Sequence, residues 1–282
     1  MPRRNPRVNF TREPQWDYVP ESGCVVTDEM RQILARPGFL NDQNGGKRLQ
    51  YLYSNQSMGF SLQDFSPFGQ ACFLGITQVV EEAISSGTAP PLSTKESAFE
   101  QGYATLIILG AQRIQAGRGP PSHHHAVLKF LISQSLPLDL PDVVGFTALQ
   151  HAMHGTPAML DKEALIRELL ESGASINHQN RWGSTALHQA VLRGDTLGIE
   201  LLMEYGADVN IPDGNGYTVK GFYVNAGAGV NAVMEKWLLK RAGEQAPLAE
   251  KRCDKCGVTT KSLKMCAACH TVQYCSKECQ SK

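Results

Sequence analysis

The sequence predicts a mostly α-helical fold: a stacked array of short helix pairs, followed by a small zinc-stabilised finger. Three observations carry this expectation. Two blocks, LIRELLESGASIN (Leu165–Asn177) and GIELLMEYGADVN (Gly198–Asn210), are near copies 33 residues apart. Each follows a second matched block, GFTALQHA (Gly145–Ala152) or GSTALHQA (Gly183–Ala190), and these lie 38 residues apart. Finally, six of the 8 cysteines fall between Cys253 and Cys279.

Composition sets outer limits on function. The chain has 282 residues, 42% hydrophobic and 19% charged, with a formal net charge of +0. That balance suits a folded chain and removes a general electrostatic pull toward nucleic acid or anionic membrane. The most apolar run, Ala104–Ala111, is far shorter than the roughly 20 residues a membrane helix needs. The opening MPRRNPRVNFTREP carries arginines but no apolar core, so it does not read as a secretory signal. The expected address is intracellular, cytoplasmic or nuclear. Thiols stay reduced there, so clustered cysteines point to metal ligation.

From the N-terminus, residues 1–59 read as a poorly defined segment with one short helix. Thr27 can cap that helix, Asp28 and Glu29 suit its first turn, and Pro37-Gly38 stop it. The remainder of the segment reads as extended or disordered. Residues 60–243 carry about five repeat units, of which the two central ones are regular. In each, Thr-Ala-Leu opens a first helix, and Ala152 or Ala190 is small enough for close helix contact. Ile-x-x-Leu-Leu gives the second helix an apolar face, and Gly173 or Gly206 ends it with a left-handed cap. Such a pair cannot bury its apolar face alone and must stack on neighbours. Fainter copies are ACFLG (Ala71–Gly75) with VVEEAISSG (Val79–Gly87), and GYATLIILGA (Gly102–Ala111) with VLKFLISQS (Val127–Ser135). In the last of these Ser135 stands where glycine is expected. GNGYTVKGF followed by VMEKWLLKRAG (Val233–Gly243) reads as an atypical end unit.

Two insertions interrupt the array, at Gly87–Gln101 and Ala111–His125. His123, His124 and His125 in the second read as part of a solvated loop, because adjacent side chains diverge. Cys24 and Cys72 read as incidental. Trp182 reads as a packing residue, with a ligand contact as the alternative because it sits at a loop tip.

TALHQA resembles the signature of the ankyrin repeat, with alanine in place of its proline. The resemblance implies a right-handed helical solenoid that binds a protein partner through its concave face and loop tips. Arg181, Trp182 and Asn215, at the turns of the most regular repeats, are the expected partner-binding residues. It also implies that His188 bonds a neighbouring loop. His151 is displaced by one position, so the same bond is not expected of it.

A linker, residues 244–252, leads to Cys253-x2-Cys256-x9-Cys266-x2-Cys269-x5-Cys275-x3-Cys279. Cys-x2-Cys turns aim two thiolates at one ion, and residues four apart share a helix face. Thiolates at these spacings suit tetrahedral zinc. Spacing alone leaves open which pairs share an ion. VQYCSKECQ resembles the MYND-type zinc finger. That resemblance implies a first zinc ion on Cys253, Cys256, Cys275 and Cys279, with Cys266 and Cys269 beginning a second site. The family completes its second site with a His and a Cys beyond the position of Cys279. Residues 253–282 hold neither, so the finger is expected to be C-terminally incomplete. The family also implies a short, proline-containing peptide as ligand. Between Lys251 and Lys282 seven Lys/Arg face two Asp/Glu, but Tyr274 is the lone aromatic, a weak case for nucleic acid.

The expected function is that of a non-catalytic zinc-binding interaction or adaptor protein. The alternative is a transcriptional or chromatin regulator, or a remnant of a MYND-associated methyltransferase without its catalytic domain. No Asn-His-Ser-Cys stretch, P-loop, Gly-x-Ser-x-Gly or dinucleotide fingerprint occurs.

Overall fold

A computed structural model describes residues 24–114, 123–154, 159, 161–242, 263–265 and 273–280. Among these residues five helix pairs stack in sequence order. They are α3 (Pro67–Leu74) with α4 (Thr77–Ser85), α5 (Tyr103–Arg113) with α6 (His124–Ser133), and α7 (Ala148–Met153) with α8 (Lys162–Glu171). Next come α9 (Ala186–Arg193) with α10 (Thr196–Glu204), and α11 (Val219–Phe222) with α12 (Ala228–Arg241). The first helices of the first four pairs form one layer, the second helices another, and a continuous apolar core runs between them from Phe65 to Trp237. Leu149, Leu165, Leu187 and Leu202 lie fully inside it. Where α3 and α5 cross, Gly110 lets the backbones touch: a Cβ there would sit 1.8 Å from the Phe73 carbonyl oxygen.

The matched sequence blocks do the same physical work in successive units. Thr185 opens α9 and binds His188 Nδ1 through its hydroxyl (2.9 Å) and its N–H (3.2 Å). His188 Nε2 donates to the Tyr217 carbonyl, 3.2 Å away in the next loop. In α7 this work falls to Gln150, not to His151. Its Oε1 accepts from Thr147 N, and its Nε2 donates to the carbonyls of His178 and Ser184, both at 2.9 Å. Three loops share a further device. Asp142, Asn180 and Asp213 each accept through one oxygen from the N–H groups two and four residues on. Their spacings, 38 and 33 residues, are those of the sequence repeats.

The first insertion forms a short hairpin, β1 (Lys95–Glu96) paired with β2 (Gln101–Gly102). Its buried Glu96 accepts from Ser66 N, Ser66 Oγ and Tyr103 Oη, which ties the hairpin to the first two pairs. The second insertion is shorter than its sequence suggests. Helix α5 runs on to Arg113 and α6 starts at His124, so His124 and His125 do not lie in a solvated loop, while exposed His123 precedes the helix. His124 is buried with Nε2 on the Phe73 carbonyl (2.9 Å), and His125 Nε2 meets Glu168 at 3.1 Å. A helix N-terminus packed on its neighbour fixes both side chains.

Ahead of the array lies a helical pair, α1 (Asp28–Leu34) and α2 (Gly46–Gln56). Thr27 caps α1 by accepting from Met30 N at 3.2 Å. Helix α2 stands where an extended or disordered segment was expected. Its buried Leu49 and Leu52 join Met30, Ile33 and Leu40 in a second core that also takes Phe99, Val144 and Phe146 from the array loops. Arg48 clasps Glu29 through two 2.7 Å hydrogen bonds that join the two helices. Among the described residues no helix is long and apolar enough to cross a membrane.

Candidate functional site

The loop tips of the central repeats meet the N-terminal pair. The last carbonyls of α1 and the turn after it lack intrahelical donors. The Arg181 guanidinium supplies them, binding the carbonyls of Leu34 (3.0 Å), Arg36 and Gly38. Its positive charge also suits the negative end of the helix dipole. Trp182 Nε1 donates to the Gly46 carbonyl at 2.9 Å, its ring 5.7 Å from that of Phe146. Asn215 Oδ1 accepts from Asp42 N at 3.1 Å, and Leu40 N donates to the Arg181 carbonyl at 2.9 Å. The three residues expected to face an outside partner therefore engage the chain's own segment. The physical reason is local: a docked helix end needs donors, and the repeat turns present them.

A buried acid completes the attachment. Asp142 Oδ2 accepts from Tyr53 Oη on α2 at 2.6 Å and lies 3.0 Å from His151 Nε2. Burial, then the Asp142 charge, push the Tyr53 phenol well above its usual pKa, so it stays a donor. His151, set aside as out of position, is thus part of the joint between segment and array.

Beneath α2 lies a cleft of about 510 Å³, walled by the ends of the inner helices α5, α7 and α9. One face of α2, with Lys47, Gln50 and Ser54, borders it, as does Ser57 at the helix C-cap; Arg113, His154, Leu192 and Arg193 line the array side. His154 lies next to His151 and Arg193, and burial first, then these charges, lower its pKa to about 4. Cys24 also borders the cleft. Burial, then the Asp64 charge, push its thiol up to about 11, so it is protonated and a poor nucleophile at neutral pH. Arg113, His154, Leu192 and Arg193 were not among the residues the sequence pointed to; the signal that could have found three of them is their place at the first-helix ends AQR and VLR. What also escaped was the roof that encloses them.

In the finger, β3 (Lys264–Met265) pairs antiparallel with β4 (Gln273–Tyr274), and α13 (Lys277–Gln280) follows directly. The strand end places Cys275 and the helix places Cys279, with their sulfur atoms 3.7 Å apart. Two thiolates on a tetrahedral zinc with Zn–S bonds of about 2.3 Å are about 3.8 Å apart, so this pair fits the ion. Cys253, Cys256, Cys266 and Cys269 lie outside the described residues. Among the described residues no three His, Cys, Asp or Glu side chains converge on one point.

Comparison with known proteins matches residues 169–219 to ankyrin repeats and residues 253–282 to the MYND finger. A potassium channel of rice (Oryza sativa subsp. indica) is 44% identical over 54 residues, 19% of this chain and 6% of the channel. A putative ankyrin repeat protein of fowlpox virus is 29% identical over 97 residues, 34% of this chain and 21% of the viral protein. A putative palmitoyltransferase of zebrafish (Danio rerio) is 30% identical over 139 residues, 43% of this chain and 20% of that protein. The chain spans between 6% and 21% of the length of these three relatives. Both matched modules are of the non-catalytic, protein-interaction kind. The chain thus carries ankyrin repeats and, at residues 253–282, a zinc-binding MYND finger.

Proposed function

We propose that this chain is an adaptor that holds one protein on its repeat array and presents a second, peptide-docking surface on its finger. The observation that carries the reading is the conjunction, on one chain, of two modules whose known work is protein interaction. In this reading the array's partner enters the open cleft. Arg181, Trp182 and Asn215 serve it indirectly, by holding the N-terminal pair in place. Cys253, Cys256, Cys275 and Cys279 hold one zinc ion in a closed four-thiolate site, which is structural rather than catalytic. Cys266 and Cys269 supply two ligands to a second site. The metal fixes the finger's fold; its docking surface takes a short, proline-containing peptide.

The test is affinity capture with the full chain, with residues 1–245 and with Cys275→Ser. Two separable sets of partners are expected, one of them lost in both altered chains. Capture of a single set indifferent to both changes, or stoichiometric binding of a methyl donor, would overturn the adaptor reading.

A further inference from the structure

We propose that the cleft beneath α2 binds an extended acidic peptide, with two carboxylates about five or six residues apart seated on Arg113 and Arg193. The inference deepens the adaptor reading and rests on it. It starts from the two sides of α2. Leu49, Leu52 and Gln56 are buried against the N-terminal core, so the helix is a fixed roof. Lys47, Gln50 and Ser54, spaced three or four apart, form its other stripe and, with Ser57 at its C-cap, border the cleft. The space of about 510 Å³ is the size of a ligand site.

The floor carries a row of nitrogen bases. Arg113 is the last residue of α5, His154 caps α7, and Arg193 is the last residue of α9. Among the described residues neither arginine has an ion pair. Arg113 has a 3.3 Å contact with the Leu109 carbonyl and lies 5.2 Å over the Phe60 ring. Among the described residues, the two acids that line the cleft are already committed. Asp42 pairs with Lys47 at 2.7 Å, and Asp213 Oδ1 accepts from Asn215 N and Tyr217 N. Among the described residues two guanidinium groups are therefore left to meet a ligand, and guanidinium recognises carboxylate through paired hydrogen bonds.

The distance between repeats sets the ligand's spacing. Helices α5, α7 and α9 pack in succession. At about 8–10 Å per helix, the two arginines are about 16–20 Å apart. A strand advancing about 3.3 Å per residue covers that in five or six residues. Between the arginines His154 donates through Nδ1 to the Gln150 carbonyl at 3.1 Å, because a carbonyl can only accept. Its Nε2 is left as an acceptor for a peptide N–H. The side-chain amides of Gln50 and Gln189 have no hydrogen bond among the described residues, so they can pair with peptide backbone. Leu192, 67% exposed, offers an apolar contact beside them.

The experiment is fluorescence anisotropy of the full chain with dye-labelled, blocked peptides. One carries glutamates at its first and seventh positions in a neutral background. The others carry glutamines there, lysines there, or two adjacent glutamates. The spaced glutamate peptide should bind at least about tenfold more tightly than each of the others. Arg113→Gln and Arg193→Gln should each weaken it by about tenfold or more, with an unchanged circular dichroism spectrum, while Lys220→Gln on α11 leaves it unaltered. Equal binding of the adjacent and spaced glutamates, or indifference to both arginine changes, overturns the proposal. The peptide arms decide on the unaltered chain even if a variant misfolds. Binding of neutral or lysine peptides alone would sink the acidic specificity yet keep the peptide-binding array. Failure of every peptide would count against both.

Discussion

Ser135 sits at φ +66° after α6, the left-handed position that Gly173 and Gly206 fill, both at φ +91°, in the two regular repeats. A side chain pays about 1–2 kcal/mol for that conformation, part of which glycine gives back as unfolded-chain entropy. Ser135→Gly should therefore stabilise the array by about 0.5–1 kcal/mol, measured by urea unfolding; a destabilised variant would contradict the repeat alignment. The buried histidines give a second test at this scale. Burial lowers the pKa of His124, His154 and His188, to about 4 for His154. The folded chain therefore refuses protons that the unfolded chain accepts below about pH 6.5. Stability is full above that pH and is lost as pH falls toward 4, with His154 alone contributing up to about 3 kcal/mol of the loss. Thermal melts between pH 7.5 and 4.5 should show this decline, and His154→Gln should flatten it.

Each helix pair owes its stability to burial shared with neighbours. Leu187 on α9 and Leu202 on α10 are fully buried between layers, so either Leu→Ala change should cost about 2–5 kcal/mol. A cost under about 0.5 kcal/mol for both would mean that the apolar faces are misassigned. The N-terminal pair depends instead on a few specific joints. Removing Arg181 and Trp182 strips donors from four carbonyls and an aromatic contact from the second core. Arg181→Ala with Trp182→Ala should ease opening of α1 and α2 by about 2–4 kcal/mol. Hydrogen exchange would read this as loss of protection in Asp28–Leu34 and Gly46–Gln56, with α9 and α10 unchanged. Uniform loss across the array would show the segment to be integral to the solenoid.

At the scale of the molecule, array and finger draw on different energies. The array rests on one apolar core from Phe65 to Trp237. A finger of residues 253–282 is too small for such a core, and zinc binding supplies about 10–16 kcal/mol that doubles as folding energy. Chelator should release metal and unfold the finger while the helical signal of the array persists. In the polypeptide of residues 1–282, Cys275→Ser should abolish tight zinc uptake and Cys266→Ser should scarcely change it. Metal analysis after dialysis reads both. Loss of most helicity with chelator would mean that the array leans on the metal.

The helix pairs, their caps and the clustered thiols were legible in the sequence. They rest on local rules: a period of three to four residues for an apolar face, glycine for a left-handed turn, paired cysteines for one ion. Thr185, His188 and Gly206 each act within one repeat or on the next, so the spacing of the sequence is the spacing of the contact. What surrounds Arg181, Trp182 and Asn215 obeyed no such rule. Their partners, from Leu34 to Gly46, lie more than 130 residues earlier and are mostly backbone carbonyls, which look alike in every residue. Helix α2, with Gly45 before it and a lysine, an arginine and two glutamines among its residues, has a weak local signal and gains its burial from Phe99, Val144 and Phe146. The sequence by itself determined a repeat array and a thiolate finger. Only the tertiary structure decided that the chain docks its N-terminal helices on the loop tips of its own array, because that contact pairs surfaces distant in sequence through groups that carry no sequence identity.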